Sequence, residues 1–164
     1  MKKTLTAATL LGLMSGTAYG NLYGGLSYGF METELGSADF DTPTLNFALG
    51  VEATPHLAVE GRLGLGVGDD GRSGVTVEID DYFAVYVKPM LPLSDTVSLY
   101  GLLGVAETTV ETNFGDDDDD DFSYGFGISA KTRQGLDLFA EYVSLYDDRN
   151  VEISGFNLGV NLRF

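Results

Sequence analysis

Gly155-Phe156-Asn157-Leu158-Gly159-Val160-Asn161-Leu162-Arg163-Phe164 is the stretch that decides the fold. Its even positions are Phe156, Leu158, Val160, Leu162 and Phe164, and its odd positions are Gly155, Asn157, Gly159, Asn161 and Arg163. The alternation has no miss. Successive side chains of a strand point to opposite faces, whereas a helix repeats every 3.6 residues. The stretch is a β-strand with one apolar face and one polar face, and the chain ends on its aromatic residue.

The same rhythm recurs upstream. It predicts strands over Leu22 to Phe30, Leu45 to Ala53, Leu57 to Val67, Val75 to Pro89, Val97 to Val110, Phe122 to Lys131 and Leu136 to Tyr146. With the last stretch this makes eight strands, joined as consecutive hairpins. Thr54-Pro55-His56, Leu91 to Thr96 and Thr132 to Gly135 read as short turns, since Pro and Gly interrupt a ladder. The other connections are longer and acidic, holding Glu32 to Asp41, Asp69-Asp70, Asp116 to Asp121 and Asp147-Asp148.

Residues 1–20 read differently. Lys2 and Lys3 precede a short apolar run, Leu5 to Met14, and Ala18-Tyr19-Gly20 supplies small residues before a cut after Gly20. That is the pattern of a cleavable signal peptide, and the run is about half the roughly 20 residues a membrane-spanning helix needs. Residues 21–164 are then one domain. The chain has 9 Lys plus Arg against 25 Asp plus Glu, a formal charge of −16 that becomes −18 once Lys2 and Lys3 leave with the leader. Such a surface repels nucleic acid and attracts cations. With no cysteine there is no disulfide.

Alternation alone does not say which face meets the lumen of a closed barrel. A soluble periplasmic barrel carrying an apolar ligand has the same period with the greasy face inward. Two features favour the membrane. The polar faces are mostly Gly, Ala, Ser and Asn, which suit a crowded small-barrel interior better than a wetted surface. The connections also sort by length and charge, with the acids at one end, as in barrels with short periplasmic turns and longer outer loops. The fold expected is all-β: an eight-stranded antiparallel up-and-down transmembrane β-barrel.

In this order, Tyr23-Gly24-Gly25-Leu26-Ser27-Tyr28-Gly29, Leu93-Ser94-Asp95, Leu99-Tyr100-Gly101-Leu102-Leu103-Gly104, Tyr124-Gly125-Phe126-Gly127-Ile128, Glu141-Tyr142 and the terminal Phe164 resemble the outer-membrane β-barrel domain family of OmpA/OmpX type. The resemblance implies residence in a Gram-negative outer membrane, among lipid and lipopolysaccharide. It also implies that Phe156, Leu158, Val160, Leu162 and Phe164 form the signal read by the barrel-assembly machinery. It does not imply one activity.

Candidate sites follow from the polar face. Glu52, Glu60, Arg62, Lys88, Lys131, Glu141 and Arg163 are expected to pair inside the lumen, because an unpaired buried charge is costly. Eight strands leave room for little but side chains, so a plug is expected ahead of a minimal porin-like channel. Asp116, Asp117, Asp118, Asp119, Asp120 and Asp121 are oxygen ligands suited to divalent cations. The run lacks the spacing of a formed calcium loop, and like charges in a row read as a mobile, solvated loop. His56, the single histidine, sits in a turn without the partners of a catalytic triad. No enzyme activity and no cofactor are expected. Tyr28, Phe30, Tyr82, Phe122, Tyr124, Tyr142 and Tyr146 are expected to form an interfacial aromatic girdle. Deleting Phe164, or making it charged, should lower the amount of protein recovered in the outer membrane; an unchanged amount would remove its part in the signal.

Overall fold

The computed structural model describes residues 21–35, 38–67, 70–72, 75–112, 115–132, 134–148 and 151–164. The leader and its cut site lie outside the described residues. The elements are β1 (Asn21–Leu35), β2 (Ala38–Thr54), β3 (Leu57–Gly66), β4 (Asp70–Arg72), β5 (Val75–Pro92), β6 (Val97–Thr112), β7 (Gly115–Lys131), β8 (Leu136–Asp148) and β9 (Val151–Arg163). Every pairing is antiparallel between sequence neighbours, except that β1 also pairs with β9 and β3 with β5. These pairings close the sheet on itself. The three-residue β4 pairs with β5 beyond the end of β3 and adds no wall strand. Eight strands make the wall.

The orientation of the faces is the decisive observation. On β9, Leu158 is 55 % exposed and Leu162 45 %, whereas Asn157 is fully buried. The same division runs round the ring: Leu26, Phe47, Leu63, Val87, Leu103, Phe126 and Leu138 face out, and Asn46, Glu60, Arg62, Tyr86, Ser123 and Glu141 face in. A barrel that carries an apolar ligand would reverse this. The greasy rows form a band suited to hydrocarbon, and aromatic rings step across it from Phe126 to Tyr142 (5.8 Å) and on to Phe156 (5.1 Å).

Three expectations are corrected. The strands are longer than the apolar alternation suggested. A tilted span needs about 9–11 residues, yet β5 has 18 and β7 has 17. The surplus forms two four-stranded ribbons at the end opposite the short turns, one of β8, β9, β1 and β2 and one of β4, β5, β6 and β7. Alternation marks only the part of a strand that meets lipid; the backbone ladder continues in water, where the outer face is free to be polar. For the same reason Asp116 to Asp121 is part of β7, not a connection. Its register sets Asp116 opposite Glu111 and Asp120 opposite Glu107. Ladder bonds are made by the backbone and persist although like charges directly opposite are unfavourable. The side chains of Asp116 to Asp120, and that of Tyr146, lie outside the described ones. Finally, Tyr82 is no girdle residue: it is buried in the lumen, 1 % exposed.

An arginine in place of Leu158, at mid-wall, should lower stability by about 2–4 kcal/mol, and one in place of Leu93, at the turn end, by about 0–1 kcal/mol. Urea unfolding of the protein in lipid vesicles measures both.

A polar ladder that fills the lumen

The lumen is built from the inward rows of all eight wall strands. Closest to the turn end is Arg163. Its Nε donates to Asp137 Oδ2 at 2.7 Å and its Nη1 to Glu52 Oε2 at 2.8 Å. Nη2 lies between the two carboxylates, 2.7 Å from Glu52 Oε1 and 2.6 Å from Asp137 Oδ2. One guanidinium thus holds β9, β2 and β8 together.

Deeper in, Lys88 on β5 donates from Nζ to Glu60 Oε2 at 3.0 Å. Its ammonium stands 4.1 Å from the ring centroid of Tyr100, with Tyr23 and Phe139 at 5.5 and 5.9 Å. Aromatic faces attract a cation, more strongly where water is excluded. Tyr23 donates its hydroxyl to the same Glu60 oxygen at 2.7 Å.

Arg62 on β3 is the centre. Its Nη2 reaches Glu60 Oε1 at 2.5 Å, and its Nη1 donates to Glu141 Oε1. Glu141 belongs to β8, on the opposite side of the ring from β3, with as many strands between them in one direction as in the other. The pair therefore crosses the full width of the lumen. Glu141 also accepts from Tyr100 Oη at 2.8 Å and Asn157 Nδ2 at 3.0 Å. Asn157 in turn accepts from Asn46 Nδ2 at 3.0 Å, and Asn46 from Tyr82 Oη at 2.9 Å. Glu60, Arg62 and Glu141 are all nearly inaccessible. Arg62 meets both carboxylates, and each carboxylate accepts further hydrogen bonds, the condition under which buried ions are tolerated.

Beyond this layer apolar side chains join the buried hydroxyls of Thr42, Ser123 and Ser144. Met31, Leu102, Val143, Leu145 and Ile153 pack with Tyr82 and Tyr86 into one buried cluster toward the ribbon end. Among the described residues, charge pairs and apolar side chains lie one above the other along the lumen.

The tyrosines fit because glycines stand opposite them. Tyr82 pairs with Gly64 across β3 and β5, and Tyr100 with Gly127 across β6 and β7. A Cβ on Gly64 would lie 2.0 Å from the Tyr82 ring, and one on Gly127 2.5 Å from that of Tyr100. Each ring lies flat over the bare backbone of its neighbour.

Of the charges named from sequence, the structure brings together Glu52, Glu60, Arg62, Lys88, Glu141 and Arg163. Lys131 is the exception. Register sets it opposite Asp137, on the inward row, but it is the last residue of β7 and is exposed beyond the rim. His56 is exposed in its turn, where its N–H donates to Thr54 Oγ1 at 3.2 Å and its carbonyl accepts from Met90 at 2.8 Å. Sequence reasoning missed the hydroxyls of Tyr23, Tyr82, Tyr86 and Tyr100, the carboxylate of Asp137 and the apolar cluster. The tyrosines carried a signal in their inward parity, and so did the apolar cluster, since Leu102 follows Tyr100 and Val143 follows Glu141 by two residues; hydropathy alone hid the cluster, because Leu102 and Val143 are as apolar as lipid-facing residues. Among the described residues no group of three or more His, Cys, Asp or Glu could hold a metal ion.

A closed eight-stranded ring, apolar outside and polar inside, is the geometry of a membrane-spanning barrel. The outer membrane protein β-barrel domain family matches residues 4–164. The chain belongs to that family. The match starts ahead of the expected cut after Gly20. No curated protein matches the chain in sequence. Among solved structures, Ail, the attachment invasion locus protein of Yersinia pestis, superposes with a TM-score of 0.67 at 20 % identity, covering 88 % of this chain and 99 % of Ail, in a complex with the heparin analogue sucrose octasulfate. Neisserial surface protein A gives 0.63 at 13 % identity, covering 87 % and 97 %. The N-terminal barrel of Pseudomonas aeruginosa OprF gives 0.57 at 13 % identity, covering 85 % and 97 %. At such identities these neighbours share the fold alone. With the family, they make this protein an outer-membrane barrel.

Replacing Arg62 with Met leaves Glu60 and Glu141 without their shared counter-charge and should lower stability by about 3–5 kcal/mol. Adding Glu141→Gln to that variant should recover part of the loss. Urea titration in vesicles, scored by the difference in gel migration between unheated and heated samples, reads both changes.

Proposed function

We propose that this protein is a sealed structural barrel whose work is done outside, by a polyanionic surface that engages cationic partners. The observation that carries the reading is the Arg62–Glu141 pair, which spans the lumen between opposite walls beneath an apolar cluster. A filled lumen has no path for solute, so the barrel is a holder for what it displays.

The distribution of charge supports the second half. Among the described residues of the lumen and the turn end, the acids are Glu52, Glu60, Asp95, Asp137 and Glu141 and the bases are Arg62, Lys88, Lys131 and Arg163. Nearly all of the negative excess after residue 20 therefore falls elsewhere in the sequence, where 20 acids stand against Arg72, Arg133 and Arg149. A field of one sign steers oppositely charged partners and repels like ones. Cationic peptides and polyamines fit such a face. Lipopolysaccharide phosphates fit it only through bridging divalent cations. A sulfated polymer of the kind the Ail ligand mimics meets repulsion here.

The same reading takes residues 1–20 as an export signal, and takes Phe156, Leu158, Val160, Leu162 and Phe164 as the strand that the assembly machinery recognises. Four of those five side chains stand exposed on the outside of β9, and Val160 is half-buried, so they are available to a partner before lipid covers them.

Two measurements test the proposal. In planar bilayers the purified protein should give no resolved conductance steps; robust single-channel currents would establish the porin reading instead. Vesicles carrying the barrel should capture polylysine and not heparin, and capture should weaken as salt rises through the physiological range. Heparin capture with no polylysine capture would overturn the surface assignment.

A further inference from the structure

The wall has one joint that no connecting segment supports: the seam where β1 meets β9. Every other pair of neighbouring wall strands is continuous through a hairpin. Closing the seam brings together the two ends of the barrel chain, which carries the largest loop entropy in the fold.

The lumen is organised around that seam. The inward positions of β1 are Tyr23, Gly25, Ser27, Gly29 and Met31. A Cβ on Gly29 would lie 2.3 Å from Thr44 Oγ1, 2.5 Å from Asn157 Oδ1 and 3.2 Å from Asn46 Nδ2. A Cβ on Gly25 would lie 2.3 Å from Asn161 Oδ1 and 3.2 Å from Ala48 Cβ. The two glycines keep the inner surface of β1 low, and side chains of its two neighbours meet above it. Asn46 on β2 donates to Asn157 on β9 at 3.0 Å. Nearer the turn end, Arg163 on β9 holds Glu52 on β2 through both carboxylate oxygens. β2 and β9 share no ladder. Each of these contacts steps over β1 and needs the ring to be shut. The other partner of Arg163, Asp137, is on β8, the hairpin neighbour of β9, and is in reach whether or not the seam has formed.

We infer that Glu52 with Arg163, and Asn46 with Asn157, form a two-rung closure latch across the first strand, the first rung at Asn21 and Tyr23 and the second over Gly29. It engages only when the first and last strands pair. It also selects their register, because a slip along the seam moves Arg163 away from Glu52 and Asn157 away from Asn46. The aliphatic face of β9 cannot supply this selection, since lipid-facing residues tolerate a two-residue slip.

The chain has no cysteine, so paired cysteines can report strand joining. Leu26 and Val160 are register partners across the seam, and Leu138 and Val160 across the β8–β9 hairpin. The protein with L26C/V160C or L138C/V160C is refolded from urea into phosphatidylcholine vesicles, and crosslinking by an oxidant pulse is followed in time. E52Q should slow seam crosslinking relative to hairpin crosslinking by roughly five-fold, as expected for a part-exposed charged hydrogen bond. G29A, which pushes Asn157 off Asn46, should lower the same ratio. D137N removes an equal share of the Arg163 contacts but none across the seam, and should leave the ratio unchanged. The latch is overturned if E52Q and G29A leave the ratio as it was, or if D137N lowers it as much as E52Q does. Should E52Q give neither crosslink, G29A decides by the same ratio.

Discussion

A strand that crosses hydrocarbon has no water to satisfy its backbone, so every N–H and C=O in the span must find a partner in the wall. A sheet meets that demand only by closing, because an open edge in lipid leaves a row of groups unpaired at several kcal/mol each. All else in this protein follows from closure. The strands must alternate, because one face meets lipid and the other does not. Eight of them make a ring too narrow to hold a column of water beside its own side chains. The interior then has to be solved as a packing problem in a polar material.

The solution here combines opposites. Arg62 and Lys88 neutralise Glu60 and Glu141, so these four groups carry no net charge in a place where charge is expensive. Tyrosines bring hydroxyls to the carboxylates and rings to the ammonium, and opposing glycines such as Gly64 and Gly127 make room for the rings. Toward the ribbons the filling changes to Met31, Leu102 and Ile153, which need no partners. The glycines of the inner face are therefore not filler. They are the complement of the large side chains beside them, and on β1 they let residues from either side meet.

Beyond the wall the charges are of one sign: the ribbon register sets Glu107 and Glu111 against Asp120 and Asp116. A free-standing ribbon with those pairs would be poorly favoured. It persists as an extension of strands already fixed by the barrel below. The wall supplies the stability that the acidic register lacks.

The sequence by itself determined the strand count, the hairpin order, the face that each residue of the lipid-facing band takes and the sorting of acids to one end. All of these are local: the period of two is written residue by residue, and Leu158 or Asn157 declares its face without reference to any other strand. It also placed Glu60, Arg62 and Glu141 on inward faces, but not who meets whom. It misjudged the ends of the strands, because hydropathy falls silent where lipid gives way to water while the backbone ladder continues through Asp116 to Asp121. Tertiary structure alone decided that Arg62 reaches Glu141 across the ring, that Lys131 stops short of the lumen, that Tyr82 lies over Gly64 and that Asn46 meets Asn157 above Gly29. Those contacts depend on ring size and shear, which set how far each strand slides past the next, and no single strand carries that information.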